Sequence, residues 1–167
     1  LSSAASDVYK RQGENNLKET NDYKLVLTDP AQLAGLPQSA IDAAAETAKE
    51  KGVEGWVFTL QAPSYSPFMT YASNRDLRCK LYMAYNTKCT HDNETNNLEI
   101  VKKLVNTRLA IAQLLGYSSF AEYNLQERMA ENSGNVYKLL DQLLDAYTPT
   151  AKQEYAEVEA LARQLEG

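Results

Sequence analysis

The spacing of apolar positions along this chain is helical except in two short stretches. Tyr23 to Thr28 alternates apolar and polar side chains, carries β-branched residues, and is closed by Asp29-Pro30. Trp56 to Leu60 is the second such run. Residues 23–28 and 56–60 are therefore expected to pair as a small antiparallel β-hairpin, marginal on its own.

Everything else reads as helix. Glu14 to Asn21 is a short polar segment. Pro37 opens a helix through Lys51, with Ile41, Ala44, Ala45 and Ala48 on one face and Gly52 as its stop. Ser64 or Ser66 is placed to cap a short helix through Tyr71, and Asn74 to cap the next, through about Lys88. Leu77, Leu81, Ala84 and Tyr85 form the stripe of that next helix. Thr90 to Asn97 is a polar loop. Leu98 to Leu115 is the strongest helical pattern, ended by Gly116. Ser119 and Glu122 form a capping box for a short helix. Asn132 or Ser133 starts the last segment, with Val136, Leu139, Leu140, Leu143 and Tyr147 on one face; Pro149 should kink or break it. The fold class expected is mainly α: a helical, bundle-like region over residues 13–167 with that one hairpin.

Composition narrows the class. With 167 residues, 44% hydrophobic and 23% charged, the chain suits one soluble globular domain. The net charge of −5 comes largely from the stretch after Leu125, where eight acids face four bases. A nucleic-acid surface needs a basic stripe instead, so no nucleic acid is expected as a partner. Without a run of 18 apolar residues, no membrane span is expected. Cys79 and Cys89 would stand about 15 Å apart on a single helix, too far for a disulfide unless the helix ends between them. Free thiols suit a reducing compartment, the cytoplasm, with the periplasm as the open alternative. Residues 1–12 (LSSAASDVYKRQ) lack the form of a signal peptide and resemble translated adapter sequence. They are expected to be a non-native or disordered leader.

The chemistry-bearing residues are few. His91 is the only histidine, so a metal cluster would have to come from Cys89, His91 and Asp92, and no H-E-x-x-H run occurs. A solvated loop histidine is the favoured reading. A Ser-His-Asp arrangement has no G-x-S-x-G turn to stand on, and no Gly-rich phosphate loop is present. Carboxylates such as Glu157 and Glu159 belong to a solvated helix face. Eleven tyrosines are more suggestive, above all Tyr65, Tyr71, Tyr82 and Tyr85, which suit a core edge packing neighbouring helices or a partly wet binding wall. Arg108 lies about 180° around its helix from Glu99, in the middle of the apolar arc. A guanidinium buried there needs a carboxylate or helix-end carbonyls as partner. The expected role is an internal strut; the alternative is a residue facing a binding channel or a part of the protein outside this chain.

Five phrases, in this order, carry a resemblance: Ala34-Gly35-Leu36-Pro37, Pro63-Ser64-Tyr65-Ser66-Pro67, Asn74-Arg75-Asp76-Leu77-Arg78, Leu114-Leu115-Gly116-Tyr117 and Met129-Ala130-Glu131-Asn132. Over roughly residues 14–166 the chain resembles the zinc oligopeptidase family of thimet oligopeptidase, oligopeptidase A and peptidyl-dipeptidase. Gly55 to Leu60, with the second and third phrases, looks closer to the peptidyl-dipeptidase branch. The resemblance implies two helical lobes flanking a deep channel, with a zinc site built on an H-E-x-x-H helix and a later glutamate, and short peptides as substrates. None of those catalytic or metal positions falls in this chain. It is therefore expected to be an internal fragment, with no catalytic or metal residues of its own and substrate-binding residues unknown. Zinc would belong to the full-length parent and not to this piece, and the missing catalytic half would be its partner. The competing expectation is a standalone helical module that binds peptide or protein without chemistry.

Overall fold

The computed structural model describes residues 2–166; Leu1 and Gly167 lie outside them. Two compact units result, Leu1–Thr107 and Arg108–Gly167.

The first unit begins with α1 (Ser2–Asp22), followed by β1 (Leu25–Leu27), a 3-10 turn (Pro30–Leu33), α2 (Gln38–Glu50) and β2 (Trp56–Phe58). Then come α3 (Ala62–Tyr71), α4 (Arg75–Asn86) and α5 (Leu98–Leu114), whose last turns belong to the second unit. The strands pair antiparallel, Leu25 opposite Phe58 and Leu27 opposite Trp56. Both are three residues long, shorter than the expected 23–28 and 56–60. A two-stranded ribbon is marginal alone; here its buried face, Leu25, Leu27 and Phe58, is packed by Leu33, Leu36, Ala44, Phe68 and Leu81.

Several helix ends follow from single residues. Asp29 accepts a hydrogen bond from the Ala31 N–H at 2.9 Å, and Pro30 enters where its missing N–H costs nothing. Pro37 occupies the N-cap of α2. Asn74 caps α4 by accepting from the Leu77 N–H at 3.1 Å. The cap of α3 differs from expectation. Gln61 stands at its N-cap, while the Ser64 hydroxyl instead accepts from the Thr59 N–H at 2.9 Å, tying the helix back to the strand exit. Gly35 (φ +86°) and Gly55 (φ +95°) both hold left-handed backbone where a Cβ would overlap a carbonyl oxygen, that of Tyr71 and of Leu27 respectively.

Residues 2–12 are helical and continuous with residues 13–22 in α1. The segment has good helix formers and no internal proline to stop it.

The second unit contains α6 (Phe120–Leu125) and α7 (Ser133–Glu166). α5 ends in the expected way: Gly116 is left-handed at φ +88°, and the Tyr117 N–H returns to the Ala112 carbonyl at 2.9 Å. Ser119 caps α6 by accepting from the Glu122 N–H. The other half of the capping box is absent, because the Glu122 carboxylate instead accepts from the Ser133 hydroxyl. α7 also departs from expectation. It runs 34 residues straight through Pro149 without a break. Proline leaves the Asp145 carbonyl without its helical donor. Asp145 and Pro149 are both exposed, so water can supply that donor. Among the described residues no helix is long and apolar enough to cross a membrane.

Candidate functional site

The α3–α4 corner brings the tyrosines together. Ser73 donates its N–H to the Ala34 carbonyl at 2.8 Å, and Arg78 reaches back to the Ala72 carbonyl, closing the turn between the helices. That corner sets Tyr65 of α3 against Tyr85 of α4, stacked with ring centroids 4.4 Å apart and planes 27° apart. The Lys88 ammonium lies 4.3 Å from the Tyr85 ring centroid, a cation–π contact at the wet end of the pair. Tyr71 and Tyr82 are about half exposed, whereas Tyr65 is half-buried. Burial, then the neighbouring Tyr85 and Tyr82, pushes the Tyr65 hydroxyl up from its ordinary value. It stays a neutral phenol at physiological pH. This face offers ring planes, one cation and hydroxyls.

The loop after α4 holds the other candidates. Cys89 is buried with a left-handed backbone (φ 58°), while His91 and Asp92 are exposed. The His91 Nε2 sits 3.3 Å from the Thr87 hydroxyl, and the Cys89 N–H donates to the Glu19 carboxylate at 2.7 Å. Cys89, His91 and Asp92 thus do not converge. Among the described residues no group of three His, Cys, Asp or Glu side chains is arranged to hold a metal ion. Both thiols are free, Cys79 exposed on α4 and Cys89 beyond that helix's end.

Sequence reasoning missed how this loop is held. Glu19 of α1 accepts from the Cys89 N–H and the Thr95 hydroxyl. Partial burial pushes its carboxyl up, but hydrogen bonds from Thr95, Cys89 and Asn93, with the charge of His91, outweigh this and hold it below the ordinary carboxylate range. The spacing of Asn15 and Glu19 on one helix face was the available signal, and it was hidden because polar faces of helices are usually solvated.

Arg108 differs from the strut expected. It is half-buried, and its guanidinium lies 5.4 Å from the Phe120 ring centroid. No hydrogen bond or ion pair to it occurs among the described residues. A planar, weakly hydrated guanidinium can settle on an aromatic face while its edges stay in water, so partial burial needs no carboxylate.

No catalytic constellation emerges from these groups, and comparison with known proteins supplies the context. The sequence profile of peptidase family M3 matches residues 68–167. The chain belongs to peptidase family M3. Oligopeptidase A of Haemophilus influenzae is 35% identical over 157 residues, covering 92% of this chain and 23% of that protein. Oligopeptidase A of Escherichia coli is 34% identical over 167 residues, covering 98% and 25%. Dipeptidyl carboxypeptidase of Escherichia coli is 27% identical over 168 residues, covering 100% and 25%. The chain thus spans about a quarter of the length of the curated M3 relatives it matches. Identity to the two oligopeptidase A proteins exceeds that to the dipeptidyl carboxypeptidase, the reverse of the leaning drawn from Gly55–Leu60 and the neighbouring phrases. Those phrases are short, and identity over the whole alignment outweighs them.

Proposed function

We propose that this chain is the helical scaffold portion of a zinc metallopeptidase that cleaves short peptides, and that the catalytic centre lies in polypeptide beyond it. The observation that carries the reading is the M3 match in a chain whose only histidine stands in an exposed loop. The residues present do not fit zinc: Cys89 gives its N–H to Glu19 and is buried, His91 turns to Thr87, and no third donor joins them. No catalytic step is therefore assigned to these residues. The scaffold reading is supported by α7, where Leu139, Leu140, Leu143, Leu144 and Tyr147 all stay exposed along a 34-residue helix. An apolar face of that length suits a further layer of the same polypeptide. The Tyr65–Tyr85–Lys88 face is the part best suited to line a peptide channel, since ring planes and one cation can meet an extended chain and its carboxylate. The free Cys79 and Cys89 support a cytoplasmic parent, with the periplasm as the open alternative.

The gene around this chain tests the reading. A frame that runs on from Gly167 into an H-E-x-x-H helix is the expected result. A stop codon directly after Gly167 would overturn it and favour a standalone peptide- or protein-binding module.

A further inference from the structure

Among its described side chains α1 has little apolar grip on the unit it belongs to. Tyr9 and Leu17 are mostly exposed and Val8 is half-buried. None of the described α1 residues belongs to the buried core cluster. What seats it is a row of polar contacts to residues 88–97. Glu19 takes the Cys89 N–H at 2.7 Å and the Thr95 hydroxyl. Asn15 donates to the Asn97 side-chain carbonyl at 2.8 Å, and the Asn97 amide donates to the Gln12 backbone carbonyl at 3.1 Å. Lys18 meets Glu94 at 2.7 Å, and Lys88 donates to the Thr20 hydroxyl at 3.0 Å. Near the hinge, Gln61 adds one contact to Asn21.

The seat is also under-packed. A groove of about 590 Å³, lined in part by Tyr9, Gln12, Lys88 and Cys89, lies on it, as does another of about 400 Å³ lined in part by Glu19, Tyr23, His91 and Thr95. Between α1 and the core strand β1 stand only Tyr23 and Lys24, in no regular structure. Polar contacts exchange for water at small net cost, whereas apolar burial does not. Segments with few apolar contacts open locally well below the cost of global unfolding. Under the seat, Cys89, Thr95 and Asn97 are buried, and all three can be satisfied by water once it opens.

We propose that α1 is a strap hinged at residues 23–24, which lifts from the 88–97 loop as a unit while the core stays folded, and whose seating gates access to the Cys89 thiol. Cys79, already exposed on α4, is outside this control. In the seated state burial, and then the Glu19 carboxylate, push the Cys89 thiol up against the opposing Lys88 charge, so it is guarded both sterically and electrostatically.

The test uses the full chain carrying Cys79→Ser, leaving Cys89 as the only thiol. Iodoacetamide modification is timed under native conditions, with Trp56 fluorescence reporting the core. Asn15→Ala removes a seat contact without changing charge near the thiol, and should speed labelling several-fold, by about fivefold. Glu19→Gln should speed it by about tenfold or more. Both should leave the Trp56 signal and its urea midpoint unchanged. Labelling no faster in either variant would overturn the strap. So would labelling that tracks loss of the Trp56 signal, or a core that unfolds when the seat contacts are removed, since either makes α1 part of one cooperative unit.

Discussion

Phe68 has no exposed surface, and its ring meets Phe58 edge-on with centroids 4.7 Å apart. Phe68→Ala should therefore cost about 3–5 kcal/mol through lost burial and the cavity left behind. Urea denaturation followed by Trp56 fluorescence measures it; a loss under about 1 kcal/mol would mean the core relaxes into the space. Glu19 gives a residue-scale prediction of a different kind. Its carboxyl is held below the ordinary range, so its stabilising effect is complete above the unfolded value near pH 4 and is lost as the pH falls through the folded value. The charges around it are Lys18 and Asp22 on α1, and Lys88, His91 and Glu94 on the facing loop. In the Cys79→Ser background, dithiodipyridine labelling of Cys89 should be slower than in the Glu19→Gln chain at neutral pH, and the two should converge in acid. A constant ratio from about pH 7 to about pH 3 would contradict this. Arg108 shows what a helical wheel leaves out: it placed the residue on the apolar arc, but the side chain partner is a ring, Phe120, that comes from the next helix.

At the scale of elements, the phrases that carried the family resemblance prove to be the joints of the fold. Gly35 passes under the Tyr71 carbonyl, Ser64 closes the β2 exit, Asn74 and Arg78 hold the α3–α4 corner, Gly116 ends α5, and Asn132 accepts from the Asn135 N–H at the start of α7. Turns and caps demand particular side chains, so they are written locally and could be read in advance. The strand pair and most helix bounds were legible for the same reason. What was not legible depended on distant partners: Ser64 serves a strand instead of its own helix, Glu122 serves Ser133, and α1 is held by residues about seventy to eighty-five positions away. Pro149 belongs to the same class, because a local rule predicts a break that an exposed helix can tolerate. Pro149→Ala should restore a hydrogen-bond donor to the Asp145 carbonyl and stabilise α7 by up to about 3 kcal/mol. Thermal unfolding by far-UV circular dichroism reads this, and an unchanged or lower midpoint would mean that α7 packing requires the proline.

At the scale of the whole molecule, the chain aligns with about a quarter of the length of the two oligopeptidase A relatives. Family membership was readable from the five phrases; among the described residues no group of three His, Cys, Asp or Glu side chains is arranged to hold a metal ion. The exposed apolar side chains of α7 and the stacked Tyr65–Tyr85 face support the proposal of a part that positions chemistry carried out elsewhere in the polypeptide. The most direct test of that account is a paired measurement on the 167-residue chain: zinc content after dialysis, and cleavage of a short blocked peptide with zinc present. The account predicts no retained zinc and no cleavage above the no-protein control. One zinc held per chain through dialysis, with turnover of the peptide, would contradict it.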